Sequence, residues 1–490
     1  MWPFYRRKNQ DDYHVDFWAW WRRDLGELVK RDRNRASVVM WSIGNEIPCR
    51  SSPLGANLSA ELSSCVRSLD AGSGRAITAA YPSVPQDPKD AQTSSDPFFR
   101  PLDVSGYNYS PQNYWIDHQR LPERIIVGTE SFPTASFEMW HSVWNNSWVI
   151  GDFVWTAIDY LGESSIGFES QTDGLDECDA VEPFPFHVSF CGDLDLIGTP
   201  KPQAMYRQVL WGKSVLEIAV HVPMPPGHDE RVGGWGWPEE RASWTWGHNG
   251  HNDSLLTNSS GRNSALHSSR NGSGDAGCPC WPCPCNPSGP GLAAMQINVY
   301  SKECDSILLF VNGKQQGGPV PSTFDSQFRA TFNGIAYHPG NLTALGLRNG
   351  SVCARKTLLT AGPVATLQLS VDRATIKNTR SDLAYVTVTA LDAAGVPVPD
   401  AAIRVRFTLS DGTSLELAAV GSGDPRDVSS LQGVTERKLW RGKALAILRP
   451  VAGATAGATT ITATAQGVAS AKAVVTSTAI MPGAVTPARG

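Results

Sequence analysis

The sequence contains no run of about 18 apolar residues and no basic block longer than short groups such as Arg6 to Lys8, and only 18% of its 490 residues are charged. The first absence leaves no candidate membrane-spanning helix. The second, with 42 Lys+Arg against 47 Asp+Glu and a net charge of -5, removes the positive footprint that phosphate backbones require. Neither nucleic acid nor a membrane is expected as a partner. Met1 to Tyr13 are aromatic and charged and lack the apolar core of a signal peptide. No Gly-rich phosphate loop follows any apolar run, so no nucleotide cofactor is expected.

With 41% hydrophobic residues there is enough apolar material for two to four domains. Tryptophan is abundant at 17 copies, beside 11 tyrosines and 16 phenylalanines. Such rings either fill a large core or floor a carbohydrate site, where the apolar face of a sugar packs on an indole. Composition leaves both open. Of ten cysteines, Cys278, Cys280, Cys283 and Cys285 cluster in CPCWPCPC, and the others are scattered without metal-ligand spacing. The cluster closes a stretch rich in Ser, Asn, Gly and His, read as a disordered insertion at about 247–290 rather than a thiolate metal site. Asn-x-Ser/Thr triplets begin at Asn57, Asn145, Asn252, Asn258, Asn271, Asn341 and Asn349, as would suit a secreted protein.

From residue 16 to about 212 helix and strand signals alternate. Phe17, Trp21, Leu25 and Leu28, with Trp18 and Val29 alongside, lie at helical spacing after a potential cap, Asp16. Apolar runs typical of strands buried on both faces occur at Ser37 to Ile43, Ala76 to Tyr81, Leu102 to Tyr109, Arg124 to Glu130 and Phe153 to Tyr160. Helical segments fall around Ala60 to Leu69 and Phe137 to Val149. This repetition predicts parallel strands with crossover helices, in a barrel or a doubly wound sheet. After Trp211 the period becomes two. Met295, Ile297 and Val299 alternate with polar residues, and Ile307 to Val311 run into Asn312-Gly313, a strong hairpin signal. Beyond Pro363 the alternation continues through Leu367, Val386, Val405, Phe407 and Ile461, predicting a β-sandwich of immunoglobulin type. The expected domains are 1–212 (barrel), 213–362 (sandwich with the insertion), 363–480 (second sandwich) and a tail at 481–490.

In a barrel of parallel strands, working residues sit at the carboxyl ends of the strands. Glu46, in WSIGNE, and Glu130, in VGTES, both end apolar strands, where a charge is costly unless it is used. Paired carboxylates beside Trp and Tyr are what glycoside cleavage requires.

The segment RDRNRASVVMWSIGNEIP (Arg31 to Pro48) resembles the acid/base signature of glycoside hydrolase family 2, and WWRRDLGELVKRDRN is similar to the helix that leads into it. VGTES (Val127 to Ser131) resembles the family's nucleophile segment, and FVWTAIDYLGE (Phe153 to Glu163) its eighth barrel strand. Phe186 to Gly212 and YSKECDSILLFVNGK are similar to the following segments of the β-galactosidase-like branch. The resemblance implies a multidomain fold: a partial (β/α)8 TIM barrel (strands four to eight) followed by two immunoglobulin-like β-sandwich domains. It implies Glu46 as general acid/base and Glu130 as nucleophile of a retaining β-glycosidase, with a β-linked saccharide as substrate; no cofactor is expected and no residue is assigned to a metal. Retention requires carboxyl groups about 5 to 5.5 Å apart. Asn45 would reach the sugar's 2-hydroxyl, Tyr109 or Tyr107 would steady the nucleophile, and Trp155 would floor the sugar site. Asn108, Asp159 and Glu163 are further candidate sugar contacts, His187 and Trp140 weaker ones, and Cys191 reads as a buried small apolar residue. Family members carry a β-domain, a sandwich and three barrel strands ahead of the acid/base segment, so an N-terminally truncated chain is expected. A non-catalytic carbohydrate-binding or scaffold fragment is the alternative, and a metal-thiolate protein ranks last.

Overall fold

The computed structural model describes residues 11–82, 84–168, 170–172, 184–223, 229–246, 294–410, 412 and 414–479. The cysteine cluster at 278–285, the whole of the expected insertion and the tail lie outside them. The chain divides into two compact units, Met1–Ala157 and Ile158–Gly490.

The first unit is built from α1 (Phe17–Asp32), β1 (Met40–Asn45), α2 (Pro53–Leu69), β2 (Ala76–Pro82), α3 (Pro88–Phe99), β3 (Ser105–Asn108), α4 (Asn113–Arg120), β4 (Ile126–Ser131), α5 (Ser136–Asn145) and β5 (Val149–Val154). All strand pairs are parallel, and the sheet order is β1-β2-β3-β4-β5. That sequential order is barrel-type winding, because a doubly wound sheet reverses its strand order part-way. All of β3 and most of β2 are buried, as expected of parallel strands covered on both faces.

Helix α1 buries Phe17, Trp21 and Val29, while Trp18 and Leu28 of the expected apolar face are exposed. Asp16 stands at the cap position without a side-chain bond: the 3-10 turn Tyr13–Val15 feeds the helix directly, so the Asp16 backbone is already helical. Helix α2 begins earlier than expected, because the Ser52 hydroxyl accepts from Gly55 N and Pro53 fits the first turn. Its buried stripe is Leu58, Leu62 and Val66. The helical pattern expected to reach Val149 stops at Asn145, and β5 takes Val149 to Val154 rather than starting at Phe153. The cause is tertiary: Val149 pairs with Ile126 in the sheet.

A buried ionic cluster ties α3, α4 and β3 together. Asp117 accepts from Tyr107, Arg120 and Arg124, and Arg120 and Arg124 also bind Asp96. Burial opposes the ionisation of Asp96, but the two arginines outweigh it and hold its carboxyl below the usual range.

In the second unit, the strands Glu217–His221, Glu240–Arg241, Ala294–Tyr300 and Arg329–Ala336 form one sheet. Ser306–Val311, Lys314–Gln315, Val320–Pro321, Asn341–Arg348 and Ser351–Leu359 form another. Buried residues from both, including Ile297, Val299, Ile307 and Leu309, make one core. The Asn312-Gly313 turn forms as expected, with positive φ at both residues and Val311 opposite Lys314. Cys304 and Cys353, which sequence spacing left unpaired, form a disulfide. From Thr366 onward a nine-stranded β-structure encloses a second core with Val386, Val388, Val405, Phe407 and Ile461.

Candidate active site

Both glutamates follow irregularities in the parallel ladder. From Ser42 to Asn45, β1 advances three residues while β2 advances two, from Thr78 to Ala80. Glu46 then takes φ 45° and its N–H donates to the Ala80 carbonyl at 3.0 Å. Positive φ is uncommon for a residue with a Cβ and occurs where the surrounding structure enforces it. In β4, Gly128 pairs with Tyr107 and Glu130 with Asn108, so one residue is again extra. Bulges of this kind re-aim side chains at strand ends.

Asn108 links the two ends. It is fully buried, and its Nδ2 donates to Asn45 Oδ1 at 3.2 Å and to Glu46 Oε1 at 3.1 Å. Its Oδ1 accepts from the Thr129 hydroxyl at 2.7 Å. The next residue, Tyr109, has φ 50°, donates its N–H to the Glu130 carbonyl at 2.8 Å and stacks its ring on Phe132 at 4.4 Å. Between β1 and β3, β2 places Ala80 in register with both Asn45 and Gly106, a small residue on the face that Asn108 crosses to reach β1. Gly106 and Gly128 are equally constrained: a Cβ on Gly106 would lie 2.5 Å from Ala79 O, and one on Gly128 2.7 Å from Asp152 Oδ1.

The structure therefore brings together Asn45, Glu46, Asn108, Tyr109 and Glu130. Trp155 joins them through β5, its N–H donating to the carbonyl of Ser131, next to Glu130. Of the two candidate tyrosines, Tyr107 faces the helices. It is fully buried, bonded to Asp117 and stacked on Phe99 at 5.4 Å. Burial first, and then the Asp117 charge, raise its pKa well above the ordinary value. Tyr109 is the one beside Glu130.

The structure also gives the partners of three further candidate residues. Asn108 bonds Asn45, Glu46 and Thr129. Asp159, in the second unit, is buried and accepts from Lys201 Nζ at 2.8 Å and Gly192 N at 2.8 Å. Burial pushes its carboxyl up to about 6, against the pull of Lys201. Glu163, also in the second unit, has φ 43° and accepts from the Tyr160 hydroxyl. His187 and Trp140, the latter on α5, are half-buried, whereas Cys191 is buried as its size suggested. Thr129 and Phe132, which sequence reading passed over, flank Glu130 on either side. Their only signal was adjacency to the glutamate. Among the described residues, no group of three His, Cys, Asp or Glu is arranged to hold a metal ion.

Parallel β/α strands in sequential order, with asparagine, glutamate and tyrosine residues hydrogen-bonded to one another at their carboxyl ends, define a barrel-type protein. Residues 20–96 match the glycosyl hydrolases family 2 TIM barrel domain, 367–474 the glycoside hydrolase family 2 C-terminal domain 5, and 293–354 a domain of unknown function. A β-galactosidase of Bacteroides ovatus, BoGH2A, is 25% identical over 517 residues, covering 92% of this chain and 50% of that protein. A solved family 2 member from Bacteroides cellulosilyticus is 30% identical with a TM-score of 0.76, covering 96% of this chain and 53% of that one. A family 2 β-glucuronidase structure, 15% identical with a TM-score of 0.54 over 98% of this chain and 42% of its own, shares the fold. The chain belongs to glycoside hydrolase family 2. It spans about half the length of the β-galactosidase and of the Bacteroides cellulosilyticus protein.

Proposed function

We propose that this protein is a retaining β-glycosidase in which Glu46 is the acid/base and Glu130 the nucleophile. The observation that supports this reading best is the arrangement around β3. Adjacent residues bind the two glutamates, Asn108 through the Glu46 carboxylate and Tyr109 through the Glu130 carbonyl. In the first step Glu130 attacks the anomeric carbon, the glycosidic bond breaks with its electron pair going to the leaving oxygen, and Glu46 protonates that oxygen. In the second, Glu46 takes a proton from water, which displaces Glu130 from the sugar. The five parallel strands correspond, on this reading, to strands four to eight of a TIM barrel, and the two sandwiches to immunoglobulin-like domains. The substrate is a β-linked saccharide and specifically a β-galactoside, in keeping with the name of the BoGH2A relative. Trp155 offers the indole on which the sugar stacks.

The test is hydrolysis of phenyl β-galactoside, whose leaving group needs protonation, by the purified protein. Glu130→Gln and Glu46→Gln are each expected to lower kcat/KM at least about 1000-fold on substrates with poor leaving groups. Turnover that survives both substitutions would remove the proposal.

A further inference from the structure

The Glu46 carboxylate has two oxygens, and only one can deliver the proton to a glycosidic oxygen. Asn108 Nδ2 lies 3.1 Å from Glu46 Oε1. An ionised carboxylate only accepts hydrogen bonds, so the side of the Asn108 amide that faces it must be the NH2 group. The same NH2 group lies 3.2 Å from the Asn45 side chain, which must therefore present its oxygen there. Asn45 then turns its own NH2 group the other way. The remaining atom of Asn108, Oδ1, then accepts from the Thr129 hydroxyl at 2.7 Å, which holds the amide in place from β4. Asn108 is 0% exposed, which leaves bulk water no route to replace any of these bonds.

We propose that Thr129 and Asn108 form a hydrogen-bond relay that fixes which oxygen of Glu46 carries the transferable proton and which end of Asn45 meets the substrate. The inference rests on the glycosidase reading above. With a donor held against Oε1, the neutral acid carries its proton on Oε2. That proton moves to the leaving oxygen as the glycosidic bond breaks, and water returns it to Glu46 in the second step. The Asn45 NH2 group supplies a donor to a hydroxyl of the bound sugar. Asn108 and Thr129 are thus positioning residues: they touch the acid/base and its neighbour rather than the reacting atoms.

The experiment compares kcat/KM for 2,4-dinitrophenyl β-galactoside, whose leaving group departs without protonation, with that for phenyl β-galactoside, whose leaving group needs it. Asn108→Ala is expected to cost about 100-fold on the phenyl substrate and less than about fivefold on the dinitrophenyl one. Thr129→Val, which keeps shape and loses the hydroxyl, is expected to cost about tenfold on the phenyl substrate alone, and Thr129→Ser to restore it within about twofold. Removing the 2-hydroxyl from the substrate is expected to cost less in Asn108→Ala than in the unmodified protein. Equal losses on both aryl substrates, with unchanged thermal unfolding, overturn the relay while leaving the glycosidase reading intact. Failure of the unmodified protein to cleave either substrate overturns the glycosidase reading and the relay with it.

Discussion

Asn108, buried on β3, donates to Glu46, which lies beyond the intervening strand β2. A contact of that reach needs the neighbouring strand to be low, and β2 supplies Ala80, in register with Asn45 and Gly106, where a larger side chain would stand in the way. The glutamate's setting is therefore a property of three strands at once, and disturbing the fit between them is expected to disturb chemistry and stability together.

Gly106 is the sharpest test of that fit. Its missing Cβ would meet Ala79 O at 2.5 Å, Thr129 Cγ2 at 2.7 Å and Thr78 Oγ1 at 3.0 Å, all held in the neighbouring strands β2 and β4. Gly106→Ala is expected to destabilise the first unit by about 1 to 3 kcal/mol and to lower turnover by displacing Thr129. Urea unfolding and the aryl-galactoside assay measure the two effects.

Asp117 accepts from a tyrosine and two arginines while buried. Asp117→Asn removes one of the two carboxylates that balance Arg120 and Arg124, and a loss of about 3 kcal/mol is expected in urea unfolding. A loss under about 0.5 kcal/mol would mean that the cluster is solvated.

His221 donates Nδ1–H to the Val222 carbonyl and pairs Nε2 with Glu230 at 2.8 Å. Burial opposes the charged ring, but the Glu230 bond and charge and the Glu240 charge prevail, raising the pKa to about 9. A folded-state pKa above the unfolded value of about 6.5 gives stability that is fully present below pH 6.5 and lost as pH rises through 9. The linkage amounts to roughly 3 kcal/mol. Denaturant midpoints measured between pH 6 and 10 are expected to fall over that window, and to fall much less in His221→Gln.

The Cys304–Cys353 disulfide closes a loop with a sequence separation of 49. In the chain-entropy account, a loop of that size constrains the unfolded state by about 4 kcal/mol. Cys304→Ala with Cys353→Ala is expected to lower the unfolding temperature of the second unit. Gly346, whose Cβ would sit 2.3 Å from the Cys304 Sγ, should tolerate alanine only when the bridge is absent. Calorimetry of the four variants decides it.

The sequence by itself determined the alternation of apolar runs and helices, and hence the parallel class of the first unit, because strands buried on both faces must be apolar throughout. It also determined the period-two strands of the second unit and the Asn312-Gly313 turn, where the backbone needs positive φ. Glu46 and Glu130 were legible for a similar local reason, as charges ending apolar strands. What only the tertiary structure decided were the facts that depend on neighbours distant in sequence. It separated Tyr109 from Tyr107, since strand alternation and the extra residue in β4 set which ring lies beside Glu130. It committed Asp159 to Lys201 and Asn108 to Glu46, because a polar side chain's role follows from the partner that burial forces on it. It also ended α5 before Val149, where pairing with Ile126 outweighs the local helical pattern.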